Sequence, residues 1–230
     1  VGIQTDFDYP DLNSNGKMIY SIYGDGRILV THGFHPNGSG LPDLPKLGTT
    51  MSISKEYNNM AWFGRGPHES YIDRKSSARV DIFSGKVSEQ YHPYVRPQEN
   101  GNKTDVRWAT FTNEDGEGIM FSGFLSLNAS HFIPEDFDDG FIMDKKGTSL
   151  NVRKNKKQMH TTDLVERDLV HLDIDHKQMG VAGEDSWGAQ PLKKYKIEPK
   201  KYTYHFIMTP FNANDDPMDI YKNALYDDEK

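Results

Sequence analysis

The segment His171–His176 reads HLDIDH. Side chains alternate along an extended strand, so His171, Asp173 and Asp175 share one face and His176 points to the other. One imidazole and two carboxylates could ligate a metal. The same residues also make the polar outer face of a half-buried strand, which is the simpler reading. His32 and His35 flank Gly33 and Phe34 and are further ligand-type side chains, read more simply as a loop closing a hairpin.

Three other stretches carry chemistry that is harder to explain as packing. WFGRGPHESYIDRKSSA (Trp62–Ala78) runs from an apolar strand end into glycines, a proline and paired charges. Arg65 and Arg74 could each fork onto Glu69 or Asp73 and hold the loop in one shape. YHPYVRPQENGNKTDVRW (Tyr91–Trp108) mixes tyrosines with Gln98, Glu99 and Asn100. Aromatic rings beside planar amides and carboxylates suit sugar recognition, and a structural loop explains them equally well. The third stretch is GEDSWG, where Trp187 stands between Gly183 and Gly188 among small and acidic residues. An indole there is either packed by another part of the fold or offered to a ligand.

The elements that must position these residues are strands. KMIYSIYG-D-GRILVTH (Lys17–His32) is two apolar runs around Gly24-Asp25-Gly26, a strong hairpin signal, and VRWATFT-NEDGEG-IMFSGF repeats the design. TTMSIS, MAWFG, LVHLDI, QMGVAG and YTYHFIM have strand length, with glycine, proline and aspartate between them at short spacing. That punctuation predicts a sandwich of antiparallel sheets rather than a βαβ fold. One helix is predicted, over DPMDIYKNALYDD (Asp216–Asp228), where Asp precedes Pro at a helix start. The simplest division has a run-in at residues 1–15, one β-domain at 16–215 with a charged insertion near 134–157, and a tail at 216–230.

Composition narrows the function classes. The chain has 230 residues, 35% of them hydrophobic, enough for a core, and it carries a net charge of −7. That charge argues against a nucleic-acid surface, and the basic run Lys154–Lys157 reads as a solvated loop. No stretch approaches the roughly 20 apolar residues of a membrane helix, and no signal peptide is expected. With no cysteine, thiol catalysis, disulfides and Cys-based zinc sites are excluded, while the compartment, bacterial cytoplasm or periplasm, stays open. A first residue of Val1 rather than Met suggests a processed chain or a piece of a longer one.

WFGRGPHESYIDRKSSA, YHPYVRPQENGNKTDVRW and MGVAGEDSWGAQP, in that order, resemble the C-terminal small-chain domain of β-galactosidases of glycoside hydrolase family 2. The resemblance runs from about Gly16 to Phe211. It implies an all-β fold, a large antiparallel β-supersandwich of the galactose mutarotase-like type, packed beside a catalytic (β/α)₈ barrel on the same or a partner chain. It implies that Trp187, presented by a loop including Asp185 and Ser186, stacks on the leaving-group sugar of a galactoside substrate. Arg65, Glu69, Asp73, Arg74, Glu99 and Asn100 then shape loops or interfaces. No catalytic residue, metal or other cofactor is expected in this chain, since the family's two carboxylates lie on the barrel and its Mg and Na ions are bound elsewhere. The rivals are an independent mutarotase-like enzyme, with His68, His92 and Glu99 as acid–base candidates, and a carbohydrate-binding module.

Overall fold

A computed structural model describes residues 1–137, 141–143, 149–151, 160–183 and 188–227. The strands, in chain order, are β1 (Gly2–Tyr9), β2 (Ser14–Ile22), β3 (Ile28–Pro36), β4 (Lys46–Ile53), β5 (Asn59–Gly66) and β6 (Arg79–Lys86). There follow β7 (Lys103–Thr112), β8 (Gly118–Ser130), β9 (Phe141–Met143), β10 (Ser149–Asn151), β11 (Val170–Gln178) and β12 (Tyr202–Phe211), then one helix, α1 (Pro217–Asp227). All the described strand pairings are antiparallel. The chain is therefore all-β, as its punctuation predicts, and no helix among the described residues is long and apolar enough to cross a membrane.

The two predicted hairpins form, and they close in the same way. In each, a loop residue donates to a carbonyl four positions on, Tyr23 to Arg27 and Asn113 to Glu117, both at 2.9 Å. Gly26 and Gly116 supply the positive φ that these loops need, at 87° and 79°. The helix also starts where expected: Asp216 accepts from the Met218 amide at 2.7 Å, with Pro217 opening the first turn.

The main sheet runs β1-β2-β3-β12-β8-β7-β5-β6 and branches at β8. Residues 118–122 of that long strand pair with β12, whereas Ser126–Ser130 pair with β11, which carries β4 on its far side. The branch folds both arms around one core. Trp62, Val106, Phe111, Phe121, Leu127, Leu172, Ile174 and Phe206 are all buried there, contributed by β5, β7, β8, β11 and β12. Burying these side chains is the main source of stability in such a domain.

Four readings are corrected. The N-terminal dozen residues are no run-in, because β1 pairs along its whole length with β2. Its polarity reflects an edge strand whose first half is exposed on both faces, with only Phe7 and Tyr9 packed on the core. β6 was also missed: it is the opposite edge, where Val80 and Ile82 are exposed and Phe83 alone among its large apolar side chains packs on the core. His32 and His35 lie inside β3, not in a loop beyond it. QMGVAG is not a strand beyond Gln178, because Ala182 and Gly183 take φ values of 52° and 91°, which no extended strand accommodates.

Candidate functional site

The first two long stretches come together at Glu69. Its carboxylate accepts from Arg74 Nη2 at 2.6 Å, from the Gly101 amide at 2.9 Å, from Tyr71 at 3.3 Å and from the Tyr94 hydroxyl. Burial pushes its pKa up, but the bonds from Tyr94 and Gly101 and the charge of Arg74 outweigh burial and hold it below the ordinary glutamate value. The expected Arg74–Glu69 pair is thus present. Arg65 takes a different partner: its Nε donates to Asp105 at 2.5 Å, and its Nη1 to the carbonyls of Lys75 and Ala78 at 3.2 and 2.7 Å. Asp105 reaches it because β7 bulges there, with Asp105 at φ 54° and the register shifted between Lys103 and Val106. Lys75 adds a second cation to the same carboxylate at 3.0 Å.

Asp73 has no cationic partner within ion-pairing distance among the described residues. Its two oxygens accept from the backbone amides of Val181 and Ala182, at 3.1 and 2.8 Å. The approach requires Gly180, since a Cβ there would lie 2.5 Å from Asp73 Oδ2. Asp73 therefore fastens the backbone immediately before Gly183 to the first long loop. Glu184, Asp185, Ser186 and Trp187 lie outside the described residues.

Asn100 is buried and works on its own loop. It accepts from the His92 amide and donates to the His92 carbonyl, both at 2.8 Å, closing the turn that carries the His92 and Tyr94 rings. His68 meets Ser77 at 3.0 Å on the facing loop. Glu99 turns away from both and pairs with Lys46. The three residues weighed as mutarotase-type candidates are therefore not one cluster: His68 and His92 face a shared cleft, and Glu99 belongs to a buried ion network.

That network corrects the reading of HLDIDH. The face bearing His171, Asp173 and Asp175 is not solvated, since Asp173 and Asp175 are 1% and 2% exposed. Lys46 donates to Asp173 at 3.0 Å, and His171 Nε2 stands 3.3 Å from the same carboxylate. Burial works against the Lys46 charge, but Glu99, Asp173 and Asp175 raise its pKa to about 12. Burial also raises Asp173, yet His171 and Lys46 pull it below the ordinary value. Asp175 has only the opposed pull of Lys46, and burial with the neighbouring carboxylates pushes it up to about 7. No group of three His, Cys, Asp or Glu among the described residues is arranged to hold a metal. His176 stacks on Tyr204 on the other face, with ring centroids 5.3 Å apart.

The chain matches the family model described as "Beta galactosidase small chain" over residues 2–208. It belongs to the β-galactosidase small-chain family. Among curated proteins it is similar to the "Beta-galactosidase" of Priestia megaterium, at 35% identity over 84% of this chain and 17% of the relative. The corresponding figures are 31%, 86% and 17% for the enzyme of Pseudoalteromonas haloplanktis, and 30%, 82% and 16% for that of Vibrio cholerae. The small-chain match thus spans about a sixth of each of those relatives' length. Lys46, Lys75, Lys103 and Asp105 were missed in the sequence. A charged residue inside an apolar alternation, as in NKTDVRW, is the signal that could have marked the bulge.

Two outcomes test this geometry. Asp73→Ala should release the Val181 and Ala182 amides, whose bonds to a carboxylate are worth roughly 1.5–3 kcal/mol. Amide hydrogen exchange at those two positions should accelerate by roughly 10- to 150-fold while core strands stay protected. The second concerns Asp175. Folded, it keeps its proton to about pH 7, whereas unfolded aspartate loses it near pH 4, so its contribution to stability falls as pH rises between those values. Asp175→Asn cannot ionise and should gain on the wild type across that window. With each pKa unit worth about 1.4 kcal/mol, the gain is on the order of a few kcal/mol. Urea-denaturation midpoints at a series of pH values check it, and parallel profiles would show that Asp175 is charged in the fold.

Proposed function

We propose that this chain works as the small-chain domain of a larger β-galactosidase that hydrolyses terminal β-D-galactosides. In this reading it packs beside a catalytic (β/α)₈ barrel, on the same chain or a partner, and Trp187 stacks on the leaving-group sugar. The observation that carries the reading is the pair of bonds that Asp73 accepts from the amides of Val181 and Ala182. They tie the segment leading into GEDSWG to a loop that is itself locked by the Arg74–Glu69 pair. An indole meant to meet a ligand needs such a fixed base.

The chain by itself is proposed to be inactive. A retaining glycosidase needs two carboxyl groups, one to protonate the leaving oxygen and one to attack, roughly 5 Å apart. The carboxylates facing the cleft between the loops are engaged otherwise. Glu69 is held by four donors, and Glu89 accepts from the Lys86 amide at 2.8 Å. Purified chain should leave a chromogenic β-galactoside intact, and turnover that persists after host enzyme is removed would overturn this.

The role of Trp187 is tested in the intact enzyme. Trp187→Ala should raise KM for lactose-like substrates more than for substrates with a small leaving group, because only the former lose a stacked ring. The loss is on the order of 1–3 kcal/mol, or roughly 5- to 150-fold. The change should fall mainly on KM, since the ring does not touch the reacting bond. If the indole is core instead, the variant loses about 3–5 kcal/mol of stability and all substrates suffer alike.

A further inference from the structure

A cleft of about 450 Å³ opens between the two long loops, within the size range of small-molecule sites. His68, Glu69 and Arg74 line it from one loop and His92 and Tyr94 from the other, with Lys103 at the start of β7. Its shape is built in. Glu69 bridges the loops through Arg74, Tyr94 and the Gly101 amide, and buried Asn100 clamps the backbone of His92. The His92 and Tyr94 rings meet edge to face with centroids 4.5 Å apart.

Lys103 is the group that needs explaining. It is only 2% exposed, yet it lines the cleft. Its ammonium lies 5.1 Å from the centre of the Trp62 ring, and it has neither an ion pair nor a side-chain hydrogen bond among the described residues. Burial lowers its pKa to about 8, against the opposing charge of Glu69. The Trp62 ring compensates the buried charge only in part, and a ligand oxygen placed on the ammonium adds the acceptor that the described residues do not supply.

The remaining lining selects the ligand class. Arg74 and Lys103 are balanced by Glu69 and Glu89, so the cleft has no net charge to attract an ion, and the two carboxylates repel an anionic group. Donors from Lys103 and Arg74 lie in one cleft with the rings of His92 and Tyr94, a combination suited to the hydroxyls and partly apolar face of one ring. We propose that this cleft binds the ring of a neutral hexose, with one hydroxyl accepting from Lys103, another accepting from the free edge of Arg74, and the ring face against His92 and Tyr94.

The inference does not rest on Trp187, and its test keeps the two apart. The full chain is titrated with methyl β-D-galactopyranoside and methyl β-D-glucopyranoside by calorimetry, in the wild type and in Trp187→Ala. Saturable binding of at least one of them in both proteins is expected. Lys103→Met keeps the aliphatic stem over Trp62 and should weaken binding at least about tenfold, the loss of a charged hydrogen bond. His92→Ala, an exposed position, should also weaken it and serves if Lys103→Met does not fold. The proposal is overturned by the absence of saturable binding, by affinity unchanged in both cleft variants, or by binding that disappears with Trp187 alone. Galacturonate binding tenfold more tightly than the neutral galactoside would also overturn it, by marking an anion site.

Discussion

Glu69 accepts from four donors at once, and the arrangement of both long loops follows from that carboxylate. Arg74 and Tyr71 come from its own loop, and Tyr94 and the Gly101 amide from the other. A half-buried carboxylate surrounded this way stays charged, because each donor stabilises the anion more than water would at that depth. Asp73 precedes Arg74 in sequence, so fixing Arg74 also fixes the carboxylate that holds Val181 and Ala182. Three segments, with partners as far as 109 residues apart, are thereby tied together.

Beneath that anchor the sheet turns charge inward. Lys46 sits between Glu99, which belongs to the second loop, and Asp173 on the central strand β11. Lys46 and Glu99 each keep over a quarter of their side-chain surface exposed, so these pairs add little net stability, but removing Lys46 leaves the buried Asp173 carboxylate with only His171 beside it. Their effect is to fix the second loop against one position of the sheet. The same loop carries Asn100, His92 and Tyr94 on its other side, so the buried network below and the cleft above constrain each other.

Around both, the domain is scaffold. The branch of β8 lets one continuous apolar core support strands that diverge toward β12 and β11. Loops from different arms can then meet at one surface without being neighbours in sequence. An edge-to-edge sheet without the branch would hold these loops on separate rims.

The strands, both hairpins and the C-terminal helix were legible in the sequence because their signals are local. Asp-Gly turns, alternation of apolar residues and an Asp-Pro helix start act over a few residues, and the side chains that satisfy them are neighbours. The three motifs also identified the family in order. Edge strands β1 and β6 were not legible, since their apolar alternation is short or broken: Thr5 interrupts Ile3, Phe7 and Tyr9, and Val80 and Ile82 make only two steps. Partner choice was beyond the sequence as well. Nothing local distinguishes Asp105 from Asp73 as the counterion of Arg65, and the burial of Asp173 and Asp175 depends on β11 being flanked by β4 and β8 and on Lys46 and Glu99 arriving from elsewhere. Those outcomes were decided by tertiary structure, because hydrogen-bond geometry and desolvation are properties of what surrounds a group in space, and residues 40 to 127 positions away supply the surroundings here.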